Sequence, residues 1–146
     1  LWRAAAPDTV CPMIAREIEV TLPLPDGLSG PQLIRVNDFE LVYDFTRGAL
    51  LDETNARIVD SVVDSLIIES PTEIFITGMH MDGCPVPVQI HQELGDAKIR
   101  VHVFRTVPLE MVCTMNLQFF VRRITLEQEV LPGMVVEVNK IAVTHR

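Results

Sequence analysis

Hydrophobic and polar residues alternate along most of the chain. A period of two is typical of β-strands that bury one face, and the alternating segments favour β-branched residues and are separated by turn-forming residues. Many short strands at this spacing predict an all-β fold, either a sandwich or a barrel. The segments are EIEVTLPL (17–24), LIRV (33–36), FELVYDF (39–45), EIFITG (73–78), PVQIHQEL (87–94), KIRVHVF (98–104), NLQFFVRRITL (116–126) and MVVEVNKIAV (134–143).

A hairpin is predicted around Gly95 and Asp96. If these two residues form the loop, one side of the hairpin pairs charged and polar residues while the other side pairs apolar ones. In this register His91 and His102 are diagonal neighbours, which we interpret as solvated histidines. The predicted pairs are Glu93 with Lys98, His91 with Arg100, Gln89 with His102, Ile90 with Val101 and Val88 with Val103.

The stretch GALLDETNARIVDSVVDSLIIES (48–70) fits both helix and strand patterns. We predict a short helix or loop near residues 50–58 and a strand over about 60–69. Residues 17–34 also align with residues 73–90, with seven identities in eighteen positions. An internal strand-turn-strand repeat and a shared strand composition both explain this alignment.

Composition narrows the classes of partner. With 146 residues and 48% hydrophobic residues, the chain can form one ordinary domain or two very small ones. The 20 acidic and 12 basic side chains give a net charge of −8, the wrong sign for binding a phosphate backbone or an anionic membrane.

No apolar run approaches the roughly 18 to 20 residues of a membrane span. The opening residues around Ala4–Ala6 fit both the remnant of a removed leader and a chain boundary.

The three cysteines lack the C-x-x-C spacing of structural zinc sites. Cys84 lies at a predicted turn, and Cys113 follows 29 residues later, across a hairpin. Because a sandwich can bring two such positions together, we predict a Cys84–Cys113 disulfide. A loop of this length favours folding by roughly 3 to 4 kcal/mol in the chain-entropy model, and a disulfide implies an oxidising compartment. Cys11 is then either a free thiol or a link to another chain.

Four segments carry a resemblance to a known family: VVDSLIIES, MDGC, PLEMVCTMNLQFF and VLPGMVVEVNK. From about residue 60 onward the chain resembles a poorly characterised family of bacterial secreted or surface-attached β domains with an immunoglobulin-like outline. Met134 stands where the family pattern has an aromatic residue, and Lys140 where it has glycine. The resemblance implies an immunoglobulin-like sandwich and secretion, but no catalytic residues. EVLPGMVVEV alone also resembles the closing motif of small β-barrel domains in switch complexes and secretion rings.

The stretch MHMDGC (79–84) contains the soft ligand types that bind copper. In a strand, however, Met79 and Met81 project to one face and His80 to the other, and a bridged Cys84 is no ligand, so we expect packing methionines instead of a metal site. Serine occurs only at positions 29, 61, 65 and 70, never in a G-x-S-x-G turn. We therefore expect neither catalysis nor a cofactor.

Aromatic residues indicate where a partner would bind. Phe39, Tyr43 and Phe45 alternate with acidic residues and are expected in the core. Phe119 and Phe120 are adjacent, so they must point to opposite faces of a strand and only one can enter the core. We expect the other one between domains, under the N-terminal segment or against another protein.

Together these observations predict an immunoglobulin-like β-sandwich over residues 58–146. Residues 1–57 form a β-rich segment that packs onto it or repeats it in shortened form. The function we infer is a non-catalytic, exported interaction or assembly domain, in the periplasm, at the cell surface or secreted, whose partners are other proteins or further copies of itself. The alternative is an exported protease inhibitor or small-ligand binder, with PDGLSGP, DGCPVP and EVLPGM as candidate binding loops at one end.

Overall fold

The computed structural model describes residue 21 and residues 23–36 and 39–146, which contain eleven β-strands and no helix. The prediction of an all-β fold is confirmed. None of the described residues belongs to a helix of the length and apolar character that crossing a membrane demands. The strands are β1 Pro31–Val36, β2 Phe39–Asp44, β3 Ala49–Leu50, β4 Ala56–Asp60, β5 Val62–Ser70, β6 Glu73–His80, β7 Val88–Glu93, β8 Lys98–Pro108, β9 Gln118–Thr125, β10 Val135–Val138 and β11 Ile141–Thr144.

Strand β8 is the centre of the larger sheet, which we call the back sheet. It pairs antiparallel with β7 and with β4, and parallel with β10, which in turn pairs with β11. The eleven residues of β8 are long enough to pair with β10 near one end and with β4 near the other. This single strand therefore fixes the relative positions of four others.

Three antiparallel strands in the order β5-β6-β9 form the second sheet, which we call the front sheet. The front and back sheets pack against each other and bury one apolar layer, as expected where alternate residues of each strand point inward. The buried residues of this layer are Val63, Leu66, Ile74, Ile76, Ile99, Val101, Val103, Ile124, Leu126, Val130, Met134, Val136 and Val138. The fold is thus a β-sandwich.

Asn139 joins the two strands of the β10–β11 hairpin and ties that turn to the rest of the back sheet. Its φ of 52° lies in the left-handed region, which asparagine adopts more readily than most residues. Its side-chain amide donates to the carbonyl oxygens of Ser61 at 2.7 Å and Val103 at 2.9 Å, and its Oδ1 accepts from the N–H of Val103 at 2.8 Å. One side chain therefore hydrogen-bonds three backbone groups, of which the Val103 carbonyl also accepts from the N–H of Ser61.

Strands β1, β2 and β3 form a small antiparallel sheet with a core of its own, the N-terminal sheet. Val42, Leu51 and Ala56 are its buried residues, and Leu33 packs against them. Ala56 is also the first residue of β4, so this small core is continuous with the back sheet. The division of the chain between residues 57 and 58 stays a prediction.

The predicted register of the β7–β8 hairpin is wrong by two residues. Glu93 pairs with Arg100 and not with Lys98, because the connecting loop is longer than two residues. The carbonyl of Ala97 accepts a hydrogen bond from the N–H of Val135 at 3.0 Å, which holds part of this loop on β10. A shift of two keeps every residue on the same face of its strand, so the alternating pattern cannot detect it.

The ambiguous stretch 48–70 forms strands and turns. Residues 51–55 form a loop in which the Asp52 carboxylate accepts from the N–H of Thr54 at 2.8 Å. The predicted helix or loop over 50–58 is wrong for residues 56–58, which belong to β4, whereas β5, Val62–Ser70, confirms the predicted strand. The alignment of residues 17–34 with 73–90 includes residues outside the described part of the chain, so the repeat stays a prediction.

Candidate interaction site at the disulfide end of the sandwich

Cys84 and Cys113 are joined by a disulfide, as the sequence predicts, with their Cα atoms 4.7 Å apart. Cys84 lies just after β6, and Cys113 lies in the loop that leads from β8 to β9. A second link runs beside the bridge, because the N–H of Gly83 donates to the carbonyl of Thr114 at 2.7 Å. A Cβ on Gly83 would collide with the side chains of Thr114 and Asn116. The bridge therefore holds residues 109–117, which we call the stapled loop, closely against the end of β6.

A buried ion pair lies directly beside the disulfide. Arg105 occupies an inward position on β8 and is 1% exposed. Its Nη1 donates to Oδ1 of Asp82 at 3.0 Å and its Nη2 donates to Oδ2 at 3.1 Å, while Nη1 also reaches the carbonyl of Cys84 at 3.4 Å. This bidentate geometry is the strong form of a guanidinium–carboxylate contact. A buried charge without such a partner would cost several kcal/mol, roughly 3 to 5 in comparable cases.

Asp82 is held in its ionised form. Burial acts to raise the pKa of the Asp82 carboxyl, but hydrogen bonds from the backbone N–H of Cys84 and from Arg105, together with the charge of Arg105, outweigh it and keep the pKa below its ordinary value. The N–H of Cys84 donates to Oδ1 at 3.0 Å. The carboxylate therefore stays charged near neutral pH and balances the guanidinium.

His80 lies inside the sandwich next to this pair. Its ring stacks on the ring of Phe120 with centroids 4.7 Å apart. Burial, together with the positive charges of Arg105 and Arg122, lowers the pKa of His80 from 6.5 to about 4, against the opposing effect of Asp82. His80 is therefore neutral at physiological pH.

Gly78 makes room for Phe120 on the neighbouring strand. The two residues are opposite one another in the β6–β9 pairing, and a Cβ on Gly78 would collide with the Phe120 ring and with the carbonyl oxygen of Val62. Phe120 thus fills the space over the glycine and packs against the core. Phe119, the preceding residue, is 76% exposed on the other face of the sheet.

The MHMDGC stretch has a structural role in this arrangement. The carboxylate of Asp82 and the sulfurs of Cys84 and Cys113 lie within 4.8 Å of one another. The two sulfurs are bonded to each other and the carboxylate is paired with Arg105, so these groups stabilise the loop and are not available as thiolate ligands. The expectation of packing methionines is wrong for Met81, which is exposed, because the alternation of β6 points His80 into the sandwich instead.

Large apolar side chains predominate on the outward face of the front sheet, where Ser65, Thr77 and Arg123 also lie. We call the six apolar residues the outer apolar face; those on the outer strands are exposed and those on β6 are half-buried. A β-sandwich that is free in solution normally presents polar side chains on this side. The outer apolar face consists of Val62 and Ile67 on β5, Phe75 and Met79 on β6, and Phe119 and Val121 on β9.

Pairing across the three strands makes this face continuous. Val62, Met79 and Phe119 form one row across the sheet, and the rows that follow are Ser65–Thr77–Val121 and Ile67–Phe75–Arg123. Ser65 and Thr77 hydrogen-bond to each other at 2.7 Å through their hydroxyls. The face ends at an ion pair in which Arg123 Nε lies 2.6 Å from Glu69 Oε2.

The stapled loop adds further exposed apolar side chains at the same end of the molecule. Val112 and Met115 are almost completely exposed, and Leu109 and Leu117 are more than half exposed. Large apolar side chains this exposed on a loop held by a disulfide are unusual, because a monomer gains nothing from ordering them in water.

The two histidines of the β7–β8 hairpin lie away from this site. His91 and His102 are directly opposite one another on the back sheet, because of the shifted register. His102 Nε2 lies 2.8 Å from Oδ1 of Asp60, which gives it a local partner on β4. Cys11 lies outside the described residues, so its predicted role as a free or intermolecular thiol stays a prediction.

The architecture defines this protein as a β-sandwich domain, and comparison with known families agrees. Residues 74–144, which run from β6 to β11, match the model of the ORF11 beta-sandwich domain family. Neither the curated proteins nor the solved structures contain a match to the chain. The similarity therefore concerns the sandwich itself.

Removing the charge of Asp82 tests the buried ion pair. Asp82→Asn leaves the Arg105 guanidinium buried without a counter-charge, so the free energy of unfolding should fall by roughly 3 to 5 kcal/mol. Urea unfolding followed by far-UV circular dichroism measures this change. Glu69→Gln, which breaks the exposed pair with Arg123, is the matched control and should have a much smaller effect. If both substitutions lowered the free energy of unfolding equally, the buried pair would contribute no more to stability than the exposed pair.

The depressed pKa of His80 predicts a pH dependence of stability. Between pH 6.5 and about 4 the unfolded chain takes up a proton on His80 that the folded chain does not, so stability falls as the pH decreases through this window. His80→Phe keeps the stacking on Phe120 and removes the titrating group. Unfolding midpoints measured from pH 7 to pH 5 should therefore fall less steeply in the variant, and identical slopes would contradict the assignment.

Proposed function

We propose that this protein is a non-catalytic interaction domain that joins a larger assembly through the outer apolar face. The observation that carries the proposal is the exposure of Phe119 in a continuous apolar row with Met79 and Val62. Burying apolar area of this kind stabilises an association by about 25 cal/mol per Å² before the costs of association are subtracted. A partner that covers the face would gain this stabilisation.

Two ion pairs near this face support binding over chemistry. Asp82 and Arg105 neutralise each other inside the sandwich, and Glu69 and Arg123 do so at its surface. A general acid or base needs a group that is free to exchange a proton with a substrate. The six residues of the outer apolar face offer no group of this kind.

Export is the second part of the proposal, and the Cys84–Cys113 bridge supports it. Cys84 is buried, and its bond to Cys113 joins two segments of the fold. Disulfides of this kind persist in oxidising compartments and are rare in reducing ones. The domain would then act in the periplasm, at the cell surface or in the extracellular medium.

The geometry of the strands makes the inhibitor alternative weaker. Because β6 and β9 are antiparallel, DGCPVP follows the end of β6 at the disulfide end, whereas EVLPGM follows the opposite end of β9. These two loops therefore cannot form one binding edge. A small-ligand binder would instead use the cleft of about 900 Å³ that Arg35, Gln89 and Arg123 help to line.

Site-specific photo-cross-linking tests the interaction surface. A benzophenone amino acid placed at Phe119 in cells that make the protein should give cross-links to another polypeptide chain. The matched control is the same amino acid at Ile58 on the back sheet, which is 61% exposed and lies outside the outer apolar face. Cross-links at both positions, at neither position, or only within the same chain at position 119 would contradict the proposal.

A further inference from the structure

We infer that the partner of the outer apolar face is a second copy of this chain, packed front sheet against front sheet around a two-fold axis. This inference rests on the proposed interaction function and names its partner. An isologous interface of this kind requires a surface that is complementary to itself.

Charge favours the face as the place where two copies meet. Each chain carries a net charge of −8, so two copies repel one another over most of their surfaces. The six residues of the outer apolar face are uncharged, and the Glu69–Arg123 pair at its border is neutral. Asp64, which is exposed in the bulge of β5, is the carboxylate beside the face. Two copies can therefore approach through this face with fewer like charges in contact than a net charge of −8 would bring together on average.

The edge of the front sheet is a less favourable route. Strand β9 is paired only with β6 among the described strands, so its other edge is open to strand addition. The adjacent residues Arg122 and Arg123 lie on this strand, and charged residues on an edge strand oppose pairing with a second copy. Edge pairing would also leave the outer apolar face exposed in both copies.

The polar residues of the face do not prevent close packing. Ser65 and Thr77 lie in its middle row and satisfy each other with a 2.7 Å hydrogen bond. Sheets that pack face to face are about 10 Å apart, which leaves no room for water to hydrate unpaired groups. A hydroxyl pair that is already satisfied can be buried there at little cost.

The area of the face indicates that the stapled loop takes part. Three strands spaced by about 4.8 Å, with eight residues of about 3.3 Å each, give a flat area on the order of 400 Å². A standard interface buries about 800 Å² on each partner. The exposed side chains of Val112, Met115 and Leu117 are the nearest source of additional apolar area, since the loop leads directly into β9.

Sedimentation velocity and native mass spectrometry over a wide concentration range test the dimer. The native protein should form a dimer, and Val121→Asp should raise its dissociation constant about 30-fold or more, because an unpaired carboxylate would be buried in the interface. Met115→Ser should weaken it less. Ile58→Asp is the control and should leave the dimer unchanged; circular dichroism checks that each variant is folded.

Cysteine cross-linking distinguishes the two ways of pairing. In a Cys11→Ser background, Thr77→Cys places a thiol on the central strand, where face-to-face packing brings two copies together but edge pairing keeps them two strands apart. Sheets packed face to face are about 10 Å apart, beyond the reach of a direct disulfide, so a short bifunctional thiol reagent joins the two thiols. An intermolecular cross-link at position 77 supports the inference, and one formed only by Val121→Cys overturns it. A protein that is monomeric at every concentration also overturns it. If position 119 then still cross-links to a different protein, the proposed interaction function stands without the dimer.

Discussion

The arrangement of the disulfide end depends on one buried charge. The alternation of β8 places Arg105 on the same inward face as Val101 and Val103, so its guanidinium has no access to bulk water. Such a group can remain charged inside a protein only if a carboxylate and further hydrogen-bond acceptors surround it. Asp82 and the carbonyl of Cys84 provide them, and both belong to the short segment between β6 and β7.

The surface that we propose for binding follows from this fixed end. The disulfide joins the Asp82 segment to the stapled loop, and that loop leads into β9. Gly78 and His80 then receive the ring of Phe120 on the inner side of the sheet. Because successive residues of a strand point to opposite faces, the same pairing that buries Phe120 exposes Phe119. The core and the outer apolar face are therefore set by one strand register.

Much of this arrangement can be read from the sequence, because it depends on periodicity and spacing. The period of two predicts the all-β fold, and the adjacency of Phe119 and Phe120 predicts that they separate. The role of Arg105 is missed, although the alternation of KIRVHVFRTV already places it among apolar residues. Arginine is normally exposed, and its partner Asp82 is 23 residues away in the chain, so no local pattern connects them. The sequence pattern also cannot predict the register of the β7–β8 hairpin, because a shift by two residues leaves every side chain on the same face of its strand.

The thiol state of the protein tests the central claim most directly, namely that a Cys84–Cys113 bridge fixes this end of the sandwich in an oxidising compartment. Protein freshly taken from its source would be alkylated without reductant, and its intact mass and peptides then measured with and without reduction. The account predicts that Cys84 and Cys113 remain unlabelled until reduction and are recovered in one linked peptide pair. Labelling of both residues in the unreduced, folded protein would contradict the account.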